Sequence, residues 1–218
     1  MKQLTSYNRI AGFLNKLFDM LNERFFENEL ERPVITLQST PRAYAHFCTR
    51  PDTWVNSAGQ GFYEINMGAG TLNRPIENIC ASMLHEMTHY YCCVKGIKDT
   101  SNNGVYHNHR FKDIAEKHGL IIDRHNVYGW TITSPGDELL TWVLENSLQE
   151  ILLNRNELHG ISISGGSGTH SPNTYTTTPR KGSHSHKLVC PGCGAIARVT
   201  KPSIRLMCMD CMEQLVES

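Results

Sequence analysis

Residues 85–89 read His-Glu-Met-Thr-His, and this short run limits what the surrounding chain can become. In an α-helix, side chains four residues apart lie one turn apart on the same face. His85 and His89 can therefore grip one metal ion from the same side. Glu86 stands about 100° further round the helix, close enough to reach a water on that ion. Zinc can lower the pKa of such a water to about 7, and a neighbouring carboxylate can take its proton. The chemistry requires a helix here, and the flanks carry the signals for one. Asn73 offers a cap, Pro75 suits a first turn, Glu77 favours the positive end and Gly96 can end the helix.

A chain of 218 residues suits one medium domain plus a small appendage and can bury a core without disulfides. The formal net charge is zero, so the chain as a whole makes no electrostatic demand on a partner, whereas eleven histidines and eight cysteines stand out. Residues 1–26 do not read as a signal peptide, because Asn15, Lys16 and Asp19 interrupt their apolar residues, so none is expected there. No run of eighteen apolar residues occurs, so no membrane span is expected. Paired cysteines without a secretory signal read as metal ligands before disulfides, which places the chain in a reducing, cytoplasm-like compartment.

Taken in order, residues 6–30 predict an amphipathic helix. Ile10, Phe13, Leu14, Leu17, Phe18, Leu21, Phe25 and Leu30 face inward, while Asn15, Lys16, Asn22, Glu23 and Arg24 face water. Pro33 breaks the helix. Residues 34–37, 43–48 and 61–67 predict three strands of a small, mainly antiparallel sheet that leads into the metal-ligand helix. His46 and Cys48 share one face of the second strand and read as ordinary strand residues; Cys80, Cys92 and Cys93 read as helix packing. After a polar loop, residues 106–120 predict a short helix whose start presents His107 or His109. A catalytic zinc site takes three protein ligands and keeps one position open, and either histidine can complete it. Glu116 is the weaker, carboxylate alternative. Residues 121–133 read as extended. Residues 137–158 predict a helix with Leu140, Val143, Leu144, Leu148, Ile151 and Leu152 on its apolar stripe, and Trp142 and Glu145 off it.

Two segments with a combined signature identify a resemblance. Leu84-His85-Glu86-Met87-Thr88-His89, followed by Tyr106-His107-Asn108-His109-Arg110-Phe111-Lys112, resembles the SprT-like zinc metallopeptidase domain, the group that includes the Spartan proteases. The likeness extends to Phe25-Phe26-Glu27-Asn28-Glu29-Leu30 and to Gly129-Trp130, so it spans roughly residues 5–133 and again the C-terminal ribbon. It implies that the third ligand is the histidine four residues before a phenylalanine, which selects His107 over His109. It also implies a zincin-like α+β metallopeptidase fold, Glu86 as the base, and DNA-bound or DNA-crosslinked proteins as substrates. Asn108 stands where many members have Gly, and the polar loop before His107 is long. Tyr106, His109 and Tyr128 are candidate oxyanion donors.

Residues 160–186 are rich in Gly, Ser, Thr and His and read as a flexible linker between a domain at 1–159 and a small one at 187–218. His159, His170, His184 and His186 share no spacing and read as part of that polar tract. Cys190-Pro191-Gly192-Cys193 and Cys208-Met209-Asp210-Cys211 form two C-x-x-C knuckles, the pattern of a zinc ribbon with a structural Zn²⁺ on four thiolates. Arg180, Lys181, Lys187, Arg198, Lys201 and Arg205 have no acidic residue among them between Leu158 and Met209, a local asymmetry that suits a phosphate backbone. The resulting expectation is a peptidase with one catalytic and one structural zinc, recruited to DNA by its basic ribbon. The rival class is a metal-stabilised nucleic-acid-binding module without peptidase activity; an intact Glu86 speaks against it.

Overall fold

The computed structural model describes residues 3–40, 43–156, 186–199 and 205–217, in two compact units, Met1–Asn173 and Thr174–Ser218. The tract expected to be a linker, apart from His186, lies outside the described residues. Among the described residues the chain is mixed α+β, and no helix is long and apolar enough to cross a membrane.

The first unit opens with α1 (Tyr7–Phe26). Its Ile10, Leu14, Leu17, Phe18, Leu21 and Phe25 enter the core as the periodicity requires. Glu27 and Asn28 end it in the left-handed region, six residues before Pro33. Asn22, expected to face water, is buried: its Nδ2 donates to the Leu30 carbonyl at 2.8 Å and its Oδ1 accepts from the Leu30 N–H at 3.2 Å. The chain folds back under the helix end there, and a buried backbone pair needs partners.

Five short strands follow: β1 (Val34–Gln38), β2 (Ala45–Cys48), β3 (Trp54–Val55), β4 (Gly61–Phe62) and β5 (Glu64–Gly68). The sheet order β1-β5-β2 is mixed rather than mainly antiparallel, because β1 pairs parallel with β5 and β2 antiparallel with it. A single turn of 3-10 helix (Ala69–Thr71) leads into α2 (Ile76–Val94). Pro75, not Asn73, stands at the N-cap of α2. Next come β6 (Thr100–Ser101), β7 (Tyr106–His107), α3 (His109–Lys117), β8 (Leu120–His125) and β9 (Gly129–Pro135), with the strands in the order β6-β7-β9-β8. The segment expected as one helix from residue 106 is thus split. Asn108 caps α3 by accepting from the Arg110 and Phe111 N–H groups, which leaves Tyr106 and His107 extended before it.

The last helix of this unit, α4 (Asp137–Glu145), stops well short of residue 158. Ser147 has φ +48. Beyond it the chain runs extended: the Leu152 N–H donates to the Leu4 carbonyl and Asn154 accepts from the Leu72 N–H. The apolar stripe is also rotated from the expected one. Leu139, Trp142 and Val143 are buried, whereas Leu140 and Leu144 are exposed.

In the second unit β10 (His186–Val189) lies between β11 (Ile196–Val199) and β14 (Val216–Glu217), and β12 (Met207–Cys208) pairs with β13 (Glu213–Gln214). Its buried apolar cluster is only Leu188, Cys190, Cys208 and Leu215 among the described residues. A cluster that small cannot hold a fold without a further constraint.

Replacing Asn22 by Ala strips both partners from the buried Leu30 peptide groups. The expected cost is about 1–3 kcal/mol of stability, read from the midpoint shift in urea unfolding at unchanged m-value. A shift no larger than that of an exposed Lys16→Ala control would refute the assignment.

Candidate metal centres

α2 is the most enclosed element of the first unit. It packs against β2, β9, α3 and α4, and every residue from Ile79 to Tyr90 is buried. His85 and His89 lie on one face of it with their Nε2 atoms 3.2 Å apart. His107 comes from β7 and brings its Nε2 to 3.0 Å from that of His89. An ion bonded tetrahedrally at ~2.05 Å needs donor nitrogens ~3.3 Å apart, so the three imidazoles are spaced for one.

The backbone around His107 explains how β7 delivers it. Its N–H donates to the Tyr128 carbonyl at 2.9 Å, and it pairs with Gly129 on β9. Gly129 has φ +74, and a Cβ there would strike the His107 carbonyl oxygen and the Tyr106 ring; only glycine allows both the turn and the approach. Phe111, fully buried in the first turn of α3, forms the floor of the site. Its ring centroid lies 4.7, 4.6 and 4.7 Å from those of His85, His89 and His107. The four-residue spacing from His107 to Phe111 thus carries a candidate ligand across the capped start of a helix and sets an aromatic wall behind all three imidazoles.

The other ring nitrogens fix which atoms face the centre. His85 Nδ1 is 2.8 Å from Thr133 Oγ1, and the Thr133 hydroxyl donates to the Thr131 carbonyl at 3.3 Å, so the imidazole is the donor. His89 Nδ1 lies 2.5 Å from Asp99 Oδ2 and donates to it. Both assignments follow from the partners, and both leave Nε2 lone pairs turned toward each other, an arrangement that a cation between them relieves.

Glu86 is fully buried, and neither carboxylate oxygen has a side-chain partner among the described residues. Burial pushes its carboxyl up to about 7. Electrostatic interaction with His89 and a hydrogen bond from the backbone of Phe47 on β2 work against the rise, and Asp99 adds to it.

In the second unit the ligand atoms of Cys190, Cys193, Cys208 and Cys211 all lie within 4.8 Å of one another. Cys193 Sγ and Cys208 Sγ are 3.6 Å apart, against ~3.8 Å for a tetrahedral ion at a metal–sulfur distance of ~2.3 Å. The Cys190 N–H donates to the Ala195 carbonyl and the Gly194 N–H to the Cys190 carbonyl, each at 2.9 Å, which folds the first knuckle. Without a cation, the Cys193 thiol holds Cys211 up at about 12; a metal ion is what permits four thiolates so close together.

Among the described residues, these are the two groups that could hold a metal ion. His109 is exposed and packs its ring 4.9 Å from Trp130, and Glu116 pairs with Lys112 at 3.6 Å, so neither joins the centre. Tyr128 stacks on His125, and Tyr106 lies against Gly129. His46 is exposed on β2, and Cys48 Sγ accepts from the Thr53 hydroxyl at 3.1 Å. Cys80 and Cys92 are buried in the packing of α2, while Cys93 is half-buried near the Thr49 carbonyl. Sequence reasoning missed Asp99 and Thr133. They reach the site through irregular backbone and through strand pairing, and no local spacing marks either.

Comparison with family models, with curated proteins and with solved structures gives no match. The fold and the two centres define the class: a mixed α+β chain with a three-histidine group and a four-cysteine group, each able to hold a metal ion.

The raised Glu86 value has a direct consequence for the metal-free protein. Its folded value of about 7 lies above the ordinary 4.5, so its full contribution to stability is present below pH 4.5 and is lost as pH rises through 7. In chelator-treated protein, the stability of Glu86→Gln relative to wild type should rise between pH 4 and pH 8 by up to ~3 kcal/mol. Urea unfolding across that range measures it. Parallel pH profiles for the two proteins would contradict the assignment.

Proposed function

We propose that the chain is a zinc-dependent endopeptidase of SprT-like type, acting on DNA-bound or DNA-crosslinked proteins. One observation carries the peptidase reading: a fully buried carboxylate with no side-chain partner among the described residues, Glu86, stands beside three imidazoles spaced for one ion. A purely structural centre has no use for such a group, and burying it costs stability. Three nitrogen donors suit a catalytic zinc and four thiolates a structural one.

Zinc, when bound, supplies a Lewis acid that polarises a scissile carbonyl and acidifies water. The chain supplies the rest. His85, His89 and His107 would hold the ion. Glu86 takes the proton of the attacking water and delivers it to the leaving amine, and a value near neutrality suits a group that must both accept and donate. Among the described residues β2 is paired on one side only, and its Phe47 adjoins Glu86. An extended substrate segment can add to that open edge through main-chain hydrogen bonds, which would make cleavage tolerant of side-chain sequence.

The DNA part of the proposal rests on the resemblance and on the basic run that ends in the ribbon. Arg205 is exposed there. The ribbon would recruit nucleic acid and raise the local concentration of bound protein at the peptidase unit.

Purified chain should hold two zinc ions, measured by elemental analysis. His107→Ala should hold one. Glu86→Gln should keep both and lose about 10²- to 10⁴-fold in cleavage of a DNA-bound protein, followed by gel assay with and without DNA. Unchanged cleavage by Glu86→Gln would remove the mechanism. Absence of cleavage by the wild type, with two zincs present, would favour a binding module. Deleting residues 187–218 should weaken salt-dependent DNA binding, measured by fluorescence anisotropy across a salt series; full retention would remove the ribbon's role.

A further inference from the structure

Asp99 falls in the stretch that the sequence presents as plain polar loop, yet it touches the three-histidine centre twice. Its carboxylate lies 2.5 Å from His89 Nδ1, with both side chains largely withdrawn from solvent. Its backbone carbonyl accepts from the Asn108 N–H at 3.0 Å. The neighbouring Lys98 carbonyl accepts from Asn108 Nδ2 at 2.8 Å, and Thr100 pairs with His107 across β6 and β7. Asn108 follows His107 directly and caps α3. Residues 98–100 therefore join the ligand on α2, through a side chain, to the ligand on β7, through the backbone.

We propose that Asp99 is the positioning residue that sets His89 and His107 in one frame for the metal. The inference rests on reading the three imidazoles as a metal site and adds a residue to that site. An imidazole left to itself exchanges tautomers and can turn either nitrogen inward. A carboxylate on Nδ1 ends both freedoms: it requires Nδ1–H, points the Nε2 lone pair at the centre and makes that nitrogen a stronger donor. The bond is charge-assisted and poorly solvated, which makes it stronger than the neutral contact from Thr133 to His85. His89 is thus the ligand whose orientation is held most firmly. Its Nε2 also lies within 3.2 Å of that of each of the other two. Holding it, and tying the same loop to the residue after His107, fixes the distance between ligands that come from two separate elements.

The test uses the full chain, with zinc as the probe and a chromogenic chelator as competitor. The four-cysteine site serves as an internal reference in the same molecule. Asp99→Ala should weaken zinc at the three-histidine site by about 10- to 100-fold and leave the four-cysteine site unchanged. Asp99→Asn keeps an acceptor of the same shape and loses the charge; it should weaken the site by about 3- to 10-fold. Long-range ¹⁵N–¹H spectra of the zinc-free chain should show His89 as a single Nδ1–H tautomer in wild type and Asp99→Asn, and as a mixture in Asp99→Ala. A merely structural role would not change that tautomer balance. The proposal falls if Asp99→Ala binds within about threefold of wild type with the same His89 tautomer. Should Asp99→Ala not fold, Asp99→Asn decides, and wild-type affinity in it overturns the role of the charge. A wild type that takes up zinc only at the cysteines defeats the metal reading itself, a result that cannot be confused with equal binding by wild type and variant.

Discussion

Burial of polar groups on α2 is the constraint that organises the first unit. Ser82, His85, Glu86, Thr88 and His89 all lie on a segment with almost no access to water, and each must be satisfied or carry a cost. The helix satisfies two of them by itself: Ser82 donates to the Asn78 carbonyl and Thr88 to that of Leu84, both at 2.8 Å. His85 and His89 find partners outside the helix, on β9 and in the loop after α2. Glu86 finds no side-chain partner among the described residues. The same environment that makes the helix stable thus leaves one buried carboxylate whose placement packing does not explain.

The rest of the unit serves to hold that arrangement. The β1-β5-β2 sheet brings Phe47 to one flank of α2, and the second sheet brings Thr133 and His107 to another. β7 is only two residues long, too short to define a ligand position by its own ladder. Its place comes from the contact with Gly129, the Asn108 cap and the Phe111 wall. A ligand on so short an element is as good as the contacts around it, which is why loop and turn residues matter here as much as the helix.

The two candidate centres differ in what holds them. The three imidazoles sit against a large continuous core that includes Phe18, Leu21, Met83, Leu84, Met87 and Phe111, so their geometry has support apart from any ion. The four thiols make up part of the small core they belong to, since Cys190 and Cys208 are two of its four buried residues. There the ion would be the main source of folding free energy. The two groups therefore depend differently on an ion: the first has a framework of its own, and the second has little structure apart from one.

Much of this was legible in the sequence, and the limit has a physical shape. The helical spacing of His85 and His89, the adjacency of Glu86 and the two C-x-x-C knuckles are local patterns, dictated by the pitch of a helix and the reach of a tight turn, and local patterns survive without tertiary information. The buried face of α1 was legible for the same reason, except at Asn22, where a distant peptide decided the burial. The mixed pairing of β1 with β5, the short α4 with its rotated stripe, the strand rather than helix at His107, and the Asp99 and Thr133 contacts were not legible. Each depends on which segments meet after the chain has closed, and strand partners and ring hydrogen bonds leave no periodic trace. The sequence by itself determined the identity of the donor atoms; only the tertiary structure decided which nitrogen of His85 and His89 faces the centre, because that choice belongs to the groups packed behind each ring.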